Sequence, residues 1–68
     1  MWVLYERWNQ EELLKMEEGD DQTAIWDMNR LRGSDAAEVL VDTPTLFVTT
    51  FDPGPSGGVS LIIYVKGN

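Results

Sequence analysis

Neither cysteine nor histidine occurs in the 68 residues, and positive charge is scarce: five Lys and Arg stand against twelve Asp and Glu, a formal charge of −7. Without cysteine there is no disulfide and no thiolate metal site. Without histidine a zinc site would have to be built from carboxylates, an unusual donor set for that ion. Ser34, Ser56 and Ser60 likewise have no imidazole to act as base, which excludes a Ser-His-acid site. Small domains usually supplement an undersized core with a disulfide, a metal or a partner subunit. What is left here is good packing or self-association.

The shortage of basic residues argues against direct nucleic-acid binding, whose affinity comes largely from neutralising phosphates. It also opposes docking on anionic membranes. No apolar run approaches the roughly 18 to 20 residues of a spanning helix. The opening stretch MWVLYERWNQEE lacks a basic region followed by a sustained apolar one, so no secretory signal is expected. The expected location is the cytoplasm.

The strongest pattern present is a hairpin from Thr45 to Lys66, with TLFVTTF and VSLIIYVK as strands joined by the Pro- and Gly-rich loop 52–58. Val59, Leu61, Ile63 and Val65 alternate as an apolar row that should face the helices, opposite Ser60, Ile62, Tyr64 and Lys66. In the partner strand, the row holding Phe47, Thr49 and Phe51 is expected to be buried, or burial to be split between the two faces. Trp2 to Trp8 reads as a first strand, rich in aromatic and β-branched residues, with neither face cleanly polar.

Between these strands the sequence predicts helices. Asn9 is placed as an N-cap with Glu12 completing a capping box, and Trp8 and Leu13 stand where a hydrophobic staple would form. That helix would turn Leu13, Leu14 and Met16 inward, and end at Gly19. Asp20 or Asp21 caps a second helix through Arg32, whose buried stripe is Ala24, Ile25, Met28 and Leu31. Trp26 falls beside the stripe, either as a rim residue of the core or as an exposed anchor. A third short helix is expected from Asp35 to Leu40, with a strand over Glu38 to Val41 as the alternative.

The expected fold is therefore α+β in one domain, residues 1–68: a strand, two or three short helices and a β-hairpin. The three strands would form a mostly antiparallel sheet with the helices mainly on one face. A mainly helical chain with a terminal hairpin is the competing arrangement.

Few residues point to chemistry. The loop PGPSGG runs into a strand, whereas phosphate-cradling glycine loops run into a helix and recruit a lysine, so it reads as a hairpin tip. Glu17, Glu18, Asp20 and Asp21 lack the alternating spacing and terminal Glu of a calcium loop. Two carboxylates in acid–base catalysis need a concave apolar setting, for which this chain has little room. Lys15 and Lys66 have no surroundings that would desolvate them into bases. No catalytic residue, metal or cofactor is expected.

The density of acids is the more informative feature, since six fall between Glu11 and Asp21 against the single Lys15. Glu17 and Glu18 would also oppose the dipole at a helix carboxyl end, an unfavourable local choice. Simple solubility explains such a run; so does encounter with a basic groove on another protein. A second candidate surface is the far face of the sheet, where Val3, Tyr5, Ile62 and Tyr64 would form an aromatic patch unless a helix covers them.

The expected function is that of a non-enzymatic, protein-binding inhibitor that covers a basic, nucleic-acid-binding surface of a larger partner. The partner-binding residues would be Glu11, Glu12, Glu17, Glu18, Asp20, Asp21, Tyr5, Trp26, Ile62 and Tyr64. By analogy of size and charge alone, such chains occur among phage anti-defence proteins, including anti-CRISPR proteins and DNA mimics. An immunity protein or antitoxin for a basic toxin is one alternative. Another is an obligate homo-oligomer with a ligand site between subunits.

Overall fold

The computed structural model describes residues 1–8, 13–55 and 58–67. In chain order its elements are β1 (Trp2–Trp8), β2 (Leu13–Gly19), α1 (Asp21–Arg32), β3 (Ala37–Asp42), β4 (Leu46–Phe51) and β5 (Ser60–Lys66). The described strands form one sheet in the order β2-β1-β5-β4-β3, antiparallel throughout. The fold is broadly α+β, but the expected three-stranded sheet under two or three helices is wrong. Five strands carry a single described helix, because two segments expected to be helical are strands.

Leu13–Gly19 is the first correction. Its residues favour helices individually, but a helix of about nine residues is too short to persist without packing. As a strand it satisfies the free edge of β1 instead, from Trp2 opposite Gly19 to Arg7 opposite Leu13. Pairing with a neighbour overrides a propensity of a few tenths of a kcal/mol per residue. The register slips between Leu4 and Tyr5, which leaves Met16 without an opposite residue. The capping box of Asn9 and Glu12 lies outside the described residues.

Ala37–Asp42 is the second correction, in favour of the strand alternative. In place of the expected helix, Ser34 Oγ accepts from the Ala36 amide at 3.1 Å and its carbonyl from Ala37 at 3.3 Å, closing a turn that delivers the chain into β3. A second turn joins β3 to β4 across Pro44. There the Thr43 amide donates to the Leu46 carbonyl at 2.8 Å and Thr43 Oγ1 accepts from the Leu46 amide at 2.9 Å.

The helix Asp21–Arg32 agrees with its sequence signals. Asp20 is the N-cap, its carboxylate accepting from the Gln22 amide at 3.1 Å, and Gly33 follows the last turn, which holds Arg30 and Arg32. Ala24 and Met28 are buried and Leu31 packs beside them, whereas Ile25 stays exposed. Two anchors set the helix across the sheet. At its start, Asp21 accepts from the Trp2 amide at 2.9 Å. At its end, Arg32 grips Asp42 with two hydrogen bonds, at 2.7 and 2.9 Å, and lies over the Phe47 ring.

The core is what the helix covers: Trp2, Ala24, Met28, Phe47 and Tyr64, with Leu4, Leu31, Val39 and Ile62 packed around them. The Phe47 and Tyr64 rings meet at a tilt, centroids 6.3 Å apart. This settles which rows face inward. Phe47 and Thr49 are buried as anticipated, but Val59, Leu61, Ile63 and Val65 do not face the helix. Tyr64 pairs with both Leu4 and Phe47, so its row holds the inner side and the aliphatic row is turned outward. Buried under the helix, the two large rings pack against each other and against Met28 and Trp2 in one cluster.

Candidate functional site

The sheet's alternation sorts the predicted partner-binding residues into three places. Glu11 and Glu12 lie outside the described residues. Glu17, opposite Leu4, falls on the helix side of the sheet, while Glu18, opposite Val3, falls on the other. The six acids are therefore not one face. Glu17 lines a small cleft at the β2–α1 junction with Asp20, Asp27, Trp2 and Tyr64. The cleft has room for about 20 Å³, enough for one water molecule. Asp20 and Asp21 also serve the helix start, as cap and as acceptor for Trp2.

Asp27 is the acid that sequence reasoning missed. Its carboxylate lies 3.5 Å from the Tyr64 hydroxyl. Burial pushes the phenol's pKa up to about 12, and the negative charges of Asp27 and Glu17 reinforce the shift. The signal was present in the sequence, since residue 27 stands one position before the buried Met28 and on the same side as Ala24 at helical spacing. What could not be read was that β2 would bring Glu17 to the same junction.

Among the described residues no group of three metal-binding side chains is placed to hold an ion. The two described ion pairs between side chains are Lys15 with Glu18 and Arg32 with Asp42. In each, the partner's hydrogen bond shifts the pKa toward the charged form, raising Lys15 and lowering Asp42. Lys15 is thus held as a cation rather than made into a base. Trp26 is the exposed alternative rather than a core rim: it is 60 % exposed, with the Arg30 guanidinium 4.8 Å from its ring centre. Beside it, Asp27, Arg30, Leu31, Phe51 and Ile62 border an open groove of about 240 Å³ between helix and sheet.

The proposed aromatic patch of Val3, Tyr5, Ile62 and Tyr64 does not form. Val3 and Tyr5 pair with Val65 and Ile63, whereas Ile62 and Tyr64 lie on the helix side, Tyr64 in the core. A different and larger surface takes its place. Away from the helix, β1 presents Val3 and Tyr5, β5 presents Leu61, Ile63 and Val65, β4 presents Leu46 and Val48, and β3 presents Val41. These eight apolar side chains are all partly or fully exposed, and no described element crosses them.

Compared with known proteins, the chain matches no family model, and neither a curated protein nor a solved structure is significantly similar to it. No described helix is long and apolar enough to cross a membrane.

Proposed function

We propose that the protein is a cytoplasmic, non-enzymatic binder that covers a basic, nucleic-acid-binding surface of a larger protein. The observation that carries the reading is the convergence of Glu17, Asp20 and Asp27 on one junction between β2 and α1, within a chain of net charge −7. Acids gathered from a strand, a cap and a helix raise the local negative potential. That potential speeds encounter with a basic groove and favours it over other surfaces. Trp26, exposed on the same helix with the Arg30 guanidinium over its ring, supplies an aromatic anchor.

The test is binding to an arginine-rich peptide, followed by competition with duplex DNA for a basic DNA-binding domain. Affinity for both should fall as salt is raised, because the interaction is between exposed charges. The variant Glu17→Lys leaves the cap Asp20 and the anchor Asp21 in place, and it is expected to bind about tenfold more weakly. Salt-insensitive binding, or full affinity in that variant, would sink the reading.

A further inference from the structure

The face turned away from the helix has a definite layout. Cross-strand pairing arranges its side chains in three rows that run across the sheet. The middle row is Lys15, Tyr5, Ile63, Val48 and Val41. To one side lie Glu18, Val3, Val65 and Leu46; to the other, Leu13, Arg7, Leu61, Thr50 and Glu38. Ile63 therefore occupies the centre, on the middle strand and in the middle row. The charged groups stand toward the rim: Arg7 on β1, Lys15 paired with Glu18 on β2, and Glu38 on β3.

We infer that this face is the interface of a homodimer, in which two copies pack sheet against sheet about a two-fold axis running along β5. Three observations choose a second copy as the occupant. The first is size. Five strands about 4.8 Å apart, each of six or seven residues rising about 3.3 Å, make a footprint of roughly 500 Å². Two such faces bury about 1,000 Å² in total, the lower bound of a specific interface. A single helix, about 10 Å wide, would cover only about half of the face.

The second is shape. Half-exposed Val, Ile and Leu side chains on a twisted sheet interdigitate best with a like surface, at the roughly 10 Å spacing of paired sheets.

The third is charge. A two-fold axis along β5 lays β1 over the partner's β4 and β2 over the partner's β3. Arg7 then stands over the partner copy's Thr50, with Glu38 of that copy beside it in the same row. Each dimer would hold two such Arg–Glu contacts, placed where the monomer leaves both side chains exposed.

The inference goes beyond the proposed function and does not depend on it, because the helix, Trp26 and the acidic junction all face outward from such a dimer. It would also supply the partner subunit that a small core without disulfide or metal calls for.

Sedimentation equilibrium and light scattering of the purified full chain at physiological salt provide the test. The wild-type protein should show twice the monomer mass, dissociating on dilution. Ile63→Lys buries a charge at the centre of the interface and should leave monomer at every concentration tested. Arg7→Glu places like charges opposite each other and should weaken association about tenfold, while Arg7→Glu/Glu38→Arg should restore it. Both of those residues are exposed, so the charge swap decides the matter even if Ile63→Lys fails to fold. A wild-type protein that stays monomeric would overturn the inference and leave the face to another occupant. A dimer indifferent to the folded Ile63→Lys protein, or a swap that does not restore association, would overturn it equally. None of these results bears on binding at Glu17, which lies on the helix side of the sheet and is read from salt dependence.

Discussion

Phe47 has no exposed surface and lies between Tyr64 in the sheet and Arg32 from the helix. Phe47→Ala should cost about 3 to 5 kcal/mol. At roughly 0.05 to 0.15 kcal/mol per residue, the whole domain is stable by only about 3 to 10 kcal/mol. The variant therefore loses a large share of that stability, and its thermal midpoint by circular dichroism should fall sharply. Tyr64 makes a different prediction. Its pKa rises from 10.0 in the unfolded chain to about 12 in the fold, so the folded state holds the phenolic proton more tightly. That contribution is complete below pH 10 and lost as pH climbs toward 12, a fall on the order of 2 kcal/mol. Urea melts across that range should show it, and Tyr64→Phe, which keeps the ring but has no proton to lose, should flatten the same interval. Neither effect could be read along the chain. Phe47 and Phe51 looked equally buriable there, and Tyr64 looked like part of an outer patch.

The elements divide by where their evidence resides. Trp2–Trp8 and Asp21–Arg32 were legible because a β-rich run and a capped, charge-graded helix each carry their own signals. Leu13–Gly19 and Ala37–Asp42 were not, because each is an edge strand whose own residues suit a short helix as well, and only its pairing with the adjacent strand, β1 or β4, makes it extended. Edge position also sets their dynamics. Every residue of β2 is exposed, and it is paired on one side only, whereas β5 is hydrogen-bonded to both β1 and β4. Amide hydrogen exchange should therefore be fastest in β2, through local opening. In β5 it should be slowest and track global unfolding. Equal protection of the two strands would show that β2 is covered by something beyond the monomer.

At the scale of the whole molecule, one sheet separates two surfaces of different character. The helix side carries the core, the acidic junction and Trp26; the other side carries a continuous aliphatic face. The two proposed contacts should respond oppositely to salt. Screening weakens attraction between the acids and a basic partner. It also relieves repulsion between two copies that each carry −7, so dimerisation should tighten with added salt once the two Arg7–Glu38 contacts are outweighed. Measuring association and partner binding on the same salt series separates the two surfaces without mutation.

By itself the chain determined its chemistry in the negative sense: no thiol, no imidazole, a strong excess of acid, and therefore no disulfide, no thiolate site and no histidine base. It also determined the elements whose signals are local, the first strand, the helix and the final hairpin. Only the tertiary structure decided that two further segments are strands, that Glu17 and Glu18 part to opposite sides, and that Ile63 rather than Tyr64 faces outward. The reason is that a strand exists only through its pairing with another segment, near for Leu13–Gly19 and Ala37–Asp42 and far for β1 on β5, and a shift of one residue in register exchanges the two faces of a sheet. A pattern of residues records which rows exist, but not which of them another part of the chain will cover.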